Sequence, residues 1–442
     1  MANRTADAVV IGAGVIGCSV TYALAKAGWR VVTLDRNGAP GMGSTSGSSA
    51  IIRFNYSTYA GVLTSWEAHY DWLDWQSHLG GPDDDGRVAA FVPTGSVCLD
   101  SPGQSPAKVL ALFDRVGVPY ELWDAATIRA RVPALDPASH YPPKSVDSDA
   151  FWADPVAEIG GYYTPDSGFV DDPSFAAHNL ATAARRHGAE FVFKATVTAV
   201  STTGGRVSGV ELADGTRIEA PVVVNVGGPA SGKINALAGV GGDFAVGTRP
   251  LRTEVHQVPA PPGYNEAPLV PGGTVGPLVA DLDLGTYFRP TPSGELIVGG
   301  TEPECDPMEW LDDADVYAQG VTEEVYRAQV YRAARRMPTL TVPNRPKGIA
   351  AVYDAADDWI PIYDRTALPG FYVAMGTSGN QFKNSPLVGS YVRAIVEACE
   401  NGTDHDVTPV TVDLPHSGLR LDLSAYSRLR QVTTDSSFSV MG

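Results

Sequence analysis

Residues 7–36 read DAVVIGAGVIGCSVTYALAKAGWRVVTLDR, and this stretch decides the fold. Asp7 to Ile11 is a short apolar run that ends in a glycine turn, which predicts a buried strand. Val15, Ile16, Val20, Ala23, Leu24 and Ala27 then recur at helical spacing up to Gly28, and a second apolar run, Arg30 to Leu34, follows at once. Strand, helix and strand in this order make a βαβ unit, whose two strands lie parallel because the helix carries the chain back.

Between the first strand and the helix, Gly12-Ala13-Gly14-Val15-Ile16-Gly17 satisfies G-x-G-x-x-G. The first glycine permits a tight turn, the second lets a pyrophosphate approach the backbone, and the third lets helix and strand pack closely. Phosphates then sit on the helix N-terminus, where N–H groups and the dipole favour an anion. Asp35 ends the second strand where an acid binds ribose hydroxyls, and Arg36 follows it. A glycine turn without a nucleotide is the plain alternative, and the motif alone does not separate FAD from NAD. Position and sequel favour FAD. The unit opens the chain, and the run Gly41-Met42-Gly43-Ser44-Thr45-Ser46-Gly47-Ser48-Ser49-Ala50-Ile51-Ile52-Arg53 offers backbone N–H groups and hydroxyls to a cofactor threaded through the protein. Alone, that run also reads as a flexible loop.

At 442 residues, the chain has room for two or three structural units of roughly 100–200 residues each, or two built from interleaved segments. Its apolar share of 44% with 19% charged residues is that of a globular protein, and no apolar stretch approaches the roughly 20 residues of a membrane span. Met1 to Thr5 leads into a strand with no signal-type pattern, so secretion is not expected. Cys18, Cys98, Cys305 and Cys399 are widely spaced with no C-x-x-C pair, which predicts reduced thiols in the cytoplasm. A net charge of -18 argues against nucleic acid or a membrane surface as partner. An anionic substrate would then need a local cationic pocket. The histidines show no ligand spacing, and no metal is expected.

Further along, Asp172-Pro173 reads as the N-cap and first position of a helix ending near Gly188. Short strands run through Phe191, Val197, Val207 and Ile218 and close on Val222 to Val226. Phe91 to Asp154 and Phe244 to Pro343 are rich in Pro, Trp and Tyr and read as a second, substrate-facing domain inserted twice. Gly348 to Glu400 returns to strands and then a helix from Ser385-Pro386 to Asn401-Gly402, and residues after about Val410 look like a docked tail. The expected architecture is α/β + α: a Rossmann-like FAD-binding domain of glutathione-reductase type over 1–90, 155–236 and 345–442. A substrate-binding domain on a mixed antiparallel β-sheet takes 91–154 and 237–344.

The chain resembles the D-amino-acid oxidase superfamily, in its sarcosine oxidase and dimethylglycine dehydrogenase branch. The likeness rests on Gly12 to Gly17, Gly43 to Arg53, Pro165-Asp166-Ser167-Gly168-Phe169-Val170-Asp171 and Val224-Asn225-Val226-Gly227-Gly228-Pro229-Ala230-Ser231. It continues through Tyr287-Phe288-Arg289-Pro290 and Gly376-Thr377-Ser378-Gly379-Asn380-Gln381-Phe382-Lys383, in the family's order. The resemblance implies FAD bound between the two domains. Its contacts would be Gly12, Gly14, Val15, Ile16, Gly17, Asp35 and Arg36, then Ser44, Thr45, Ala50 and Ile51, with Val197 at the adenine and Gly227 beside the cofactor. The loop carrying Gly376, Ser378, Gly379, Asn380, Gln381 and Lys383 would pass the isoalloxazine edge. A helix starting near Pro386 turns its positive end toward that loop.

The resemblance also places Arg53 and Lys383 as the two cations that hold a substrate carboxylate, a fork and a point charge. Arg53 holding the loop or the flavin, and a structural Lys383, are the alternatives. Alternation puts Tyr287 and Arg289 on one strand face, where Tyr287 either closes the cavity or packs in the core. No cysteine falls in Gly348-Ile349-Ala350-Ala351-Val352-Tyr353-Asp354, where the monomeric sarcosine oxidases tether flavin, so FAD is expected to be non-covalent. The oxygen-assisting lysine of those oxidases is absent from Gly294-Glu295-Leu296-Ile297-Val298-Gly299, so the acceptor is oxygen or another carrier. Asn380 and Gln381 replace the usual histidine and glycine.

The expected activity is oxidation of a C–N bond in a small amino acid or a secondary or N-methyl amine to an imine, by hydride transfer to flavin. Alternatives are FAD-dependent oxidation of a 2-hydroxy acid or of a biosynthetic intermediate, a flavin-binding subunit of a larger complex, and an NAD dehydrogenase.

Overall fold

A computed structural model describes residues 3–83, 85–102, 105–434 and 436–442. The opening unit forms as the pattern predicts, with strands Ala8–Ile11 and Val31–Asp35 flanking helix Val15–Lys26. The two strands pair in parallel from Ala8 opposite Val31 to Ile11 opposite Leu34. Val222–Asn225 adds on the other side of the first strand, Phe371–Met375 pairs beyond it, and Glu190–Phe193 and Ile362–Arg365 close the edges. Both faces of this six-stranded sheet are covered, which is why its central strands read as continuous apolar runs. Ala8 and Val10 share a core with Val20, Leu24, Leu180 and Ile395 of three helices. Val9, Ile11 and Val223 turn the opposite way, toward Val210 and Ile218 of a four-stranded sheet.

Those helices begin where local chemistry permits. Asp172 caps Pro173–Arg186 by accepting the Phe175 N–H at 2.9 Å. Proline also stands in the first turn of Ser385–Glu400, where its missing N–H costs nothing.

The larger sheet has nine strands. Its path runs from Glu309–Trp310 through Thr248–Pro259, Glu295–Gly300, Thr286–Pro290, Leu278–Asp281, Ser96–Leu99 and Gly161–Thr164 to Glu121–Trp123, and Gly348–Ala356 pairs along Thr248–Pro259. Pairing is antiparallel except between Leu278–Asp281 and Ser96–Leu99. Two of these strands, Gly161–Thr164 and Gly348–Ala356, fall in segments that composition assigns to the nucleotide side. Backbone pairing draws them into the larger sheet. Helix Glu323–Arg336 covers one face, where Phe288 and Val298 meet Val330 and Ala333. It is pinned there by Arg336, whose fully buried guanidinium contacts Asp281 at 2.7 Å and Asp283 at 3.0 Å.

The last segment forms the hairpin Thr411–Leu414 and Leu419–Asp422, and the chain then returns to the interior, where Tyr426 and Met441 join the main core. No helix among the described residues is long and apolar enough to cross a membrane.

Candidate active site

One cavity of about 1050 Å³ runs from the Gly12 turn to the Arg53 and Lys383 side chains. At its first end the backbone is packed too tightly for any side chain. A β-carbon on Gly12 would stand 2.2 Å from the Val226 carbonyl oxygen, and one on Gly17 would stand 1.9 Å from that of Gly12. Gly14 gives no side-chain cap and the first helical turn has no acid, so the helix end is left for an anion. Thr45 Oγ1 accepts the Val15 N–H at 3.0 Å from across the cavity wall. Asp35 braces the turn, accepting the N–H groups of Ala13 and Asn37 at 2.7 Å each. This cradle fits a pyrophosphate and its ribose.

The same end is closed by charges, of which Asp315 and Lys233 were not singled out in the sequence. Asp315 pairs with Arg36 at 2.5 Å and with Lys233 at 2.9 Å, and all three line the cavity with Val197. No local pattern links Lys233 to Asp315, because only the tertiary fold brings them together.

Gly227, Ser44, Thr45, Ala50 and Ile51 line the cavity, as do Val15 and Ile16. The Ser44 hydroxyl donates to the Val352 carbonyl at 2.6 Å, tying the serine-rich run to the larger sheet. In the late loop Gly379, Asn380, Gln381 and Lys383 reach the cavity, whereas Gly376 and Ser378 do not. Those two stand behind it: the Gly376 N–H donates to Asp354 at 2.6 Å, and the Ser378 hydroxyl bridges the Ala356 N–H and the Gly376 carbonyl. They shape the loop rather than its lining. Asn380 and Gln381 bond to each other and to Tyr363 and Asn384, an amide network that holds the loop in place of the expected histidine and glycine.

At the far end two cations are buried together. Arg53 Nη2 donates to the Val440 carbonyl at 2.7 Å and Nη1 to those of Met441 at 3.0 Å and Asn55. Lys383 Nζ donates to the Asn380 carbonyl at 2.8 Å and to the Tyr56 hydroxyl at 3.2 Å. The Tyr56 ring lies under both, 5.6 Å from the guanidinium carbon and 5.1 Å from the ammonium. Neither cation forms an ion pair with a described residue. Burial lowers the Lys383 ammonium well below the usual lysine range, and the charge of Arg53 adds to the effect. In a chain of net charge -18 the Arg53 guanidinium makes this a local positive site.

The Tyr287 hydroxyl is 2.9 Å from Ser49 Oγ, and burial pushes it up to about 12, so it stays neutral. Tyr287 lines the cavity, while Arg289 on the same strand face does not: it stacks over Phe169 at 3.9 Å and donates to the Val170 carbonyl. Two features of this end were not singled out residue by residue in the sequence. One is the tail, whose Val440 and Met441 line the cavity beside Arg53. The other is Glu302, which accepts the Val440 N–H at 2.8 Å. The described residues contain no cluster of three or more side chains suited to a metal.

The chain is 25% identical over 385 residues to mitochondrial sarcosine dehydrogenase of Mus musculus, covering 84% of this chain and 37% of that protein. It is 23% identical over 423 residues to glycine oxidase of Geobacillus kaustophilus, covering 90% and 94%. The crystal structure of L-proline dehydrogenase from P. horikoshii superposes with a TM-score of 0.74 at 22% identity, covering 97% of this chain and 98% of that one. The chain spans well under half the length of several curated relatives that it matches. Residues 7–395 match the family model described as FAD dependent oxidoreductase, and with a nucleotide cradle, a through-running cavity and the shared fold in place, the chain belongs to that family.

Proposed function

We propose that this protein oxidises the C–N bond of a small amino acid or of a secondary or N-methyl amine to an imine, with the substrate carboxylate held by Arg53 and Lys383. The observation that carries this reading is the pair of buried basic side chains, neither in an ion pair with a described residue, at the end of the cavity that begins on the nucleotide cradle. FAD, the cofactor of this family, supplies a two-electron acceptor when bound. Gly12 to Gly17, Asp35, Arg36 and Thr45 would hold its nucleotide half, and the absence of cysteine from 348–354 supports a non-covalent cofactor.

The remaining work belongs to the chain. The Arg53 fork fits two carboxylate oxygens and fixes the substrate's orientation, while Lys383 adds charge at a point. Tyr287, neutral and bonded to Ser49, walls the pocket. Loss of two electrons and two protons from the amine leaves an imine, which water hydrolyses. The four free cysteines accord with a reducing, cytoplasmic setting, and the nine-stranded sheet is the substrate side of the molecule on this reading.

Anaerobic titration of the yellow protein with amino acids, amines and 2-hydroxy acids tests it. Bleaching by amino acids or amines is expected, with recovery on admitting air measuring whether oxygen is the acceptor. Arg53→Met and Lys383→Met should mainly raise KM. Bleaching by 2-hydroxy acids alone, or unchanged kinetics in both variants, would overturn the reading.

A further inference from the structure

We infer that the site takes an α-amino acid, its amine on the Glu302 carboxylate and its carboxylate on Arg53, and that Val440 occupies this place as an internal surrogate. The inference rests on the carboxylate clamp proposed above and names the second anchor.

The geometry is that of a single residue. Val440 N–H donates to Glu302 Oε2 at 2.8 Å, and the carbonyl of the same residue accepts from Arg53 Nη2 at 2.7 Å. One N–Cα–C=O unit therefore spans acid and guanidinium, and that is the skeleton of an α-amino acid. The Met441 carbonyl meets the other tip of the fork, Nη1, at 3.0 Å, so beside its bond to Asn55 the fork faces two oxygens of the tail, one at each tip, as it would face a carboxylate. A plain amine lacks the second half of this pattern, and a longer amino acid separates the halves too far.

Glu302 is held there at a cost. It follows strand Glu295–Gly300 with φ +50, a conformation that residues with a side chain adopt rarely and that clusters at functional sites. Burial pushes its carboxyl up to about 7, with the Val440 bond and the charge of Arg53 opposing. A carboxylate so placed can take one proton from a bound ammonium: an N–H bond breaks, an O–H bond forms, and the two charges cancel. What remains is the neutral amine from which oxidation proceeds. Substrate and tail then compete for one place, which lowers the apparent affinity of the site.

Three full-length variants test this as FAD-loaded proteins. Glu302→Gln should raise the half-saturating concentration of the reducing amino acid by at least about tenfold and remove a pH dependence centred near 7, while propionate perturbs the flavin spectrum as in the wild type. Val440→Pro, which deletes the N–H that Glu302 accepts, should lower the half-saturating amino-acid concentration. An amino-acid titration and pH profile unchanged by Glu302→Gln, or equal losses for propionate and amino acid, would overturn the amine anchor. Propionate binding that ignores Arg53→Met would instead overturn the carboxylate clamp, which keeps the two failures apart.

Discussion

Gly299 lies directly beneath the ring of Tyr287: a β-carbon on Gly299 would stand 2.3 Å from two of the ring carbons. The two residues are paired across neighbouring strands, so the missing side chain is what lets the ring lie flat and bring its hydroxyl to Ser49. Gly299→Ala should displace the ring and raise KM by about tenfold, equivalent to about 1.4 kcal/mol, with flavin content unchanged. Tyr287→Phe, which loses only the hydroxyl contact, should cost less. Steady-state kinetics on protein of known flavin absorbance measures both, and unchanged KM in the two variants would remove Tyr287 from the substrate wall.

Gly17→Ala tests the other end of the cavity. Its new β-carbon would meet the Gly12 carbonyl and push the turn out of shape. The variant should keep its far-ultraviolet circular dichroism and lose FAD, with affinity down at least about tenfold. A yellow protein with wild-type stoichiometry would show that the turn does not grip the cofactor.

His69 makes acid stability predictable. Its ring sits among Phe54, Trp66, Tyr70 and Phe91 with neither nitrogen bonded to a described residue, and burial pushes it down to about 4 from an ordinary 6.5. The unfolded chain takes up this proton first as pH falls through 6.5, so the folded state loses ground from there until the buried ring titrates near 4. The loss should reach about 2 kcal/mol by pH 5. His69→Phe should flatten the melting temperature between pH 7 and 5, and an unaltered pH dependence would show that His69 does not govern it.

Arg336 should be among the costliest side chains to remove. Arg336→Met strands Asp281 and Asp283, both fully buried, without their counter-charge. Denaturant unfolding should register a loss of about 3–5 kcal/mol. Changing both acids to Asn in the same chain should recover part of it, and a loss under about 1 kcal/mol would mean that the buried charges are otherwise compensated.

Legibility in the sequence followed the range of the interaction. The Gly12 turn, the Asp172 cap and the common face of Tyr287 and Arg289 depend on neighbours a few residues away, and reading them needed only spacing. The sheet to which Gly348–Ala356 belongs depends on pairing with Thr248–Pro259, and composition carries no record of that. The same holds inside the site. Motifs mark Arg53 and Lys383, but Val440, Lys233 and Asp315 reach the cavity, and Glu302 meets Val440, through contacts between distant segments. Gly376 and Ser378 stand behind the lining: a loop motif marks a stretch of backbone without saying which of its residues face inward.

The hydrogen bond from Ser44 to Val352 joins residues 308 positions apart. A chain emerging from the ribosome therefore presents its phosphate cradle early, yet has no complete flavin pocket until the Gly376 to Lys383 loop and the tail behind it are made. Such non-local closure is slow. Cofactor loading is therefore expected to follow the closure of these distant segments.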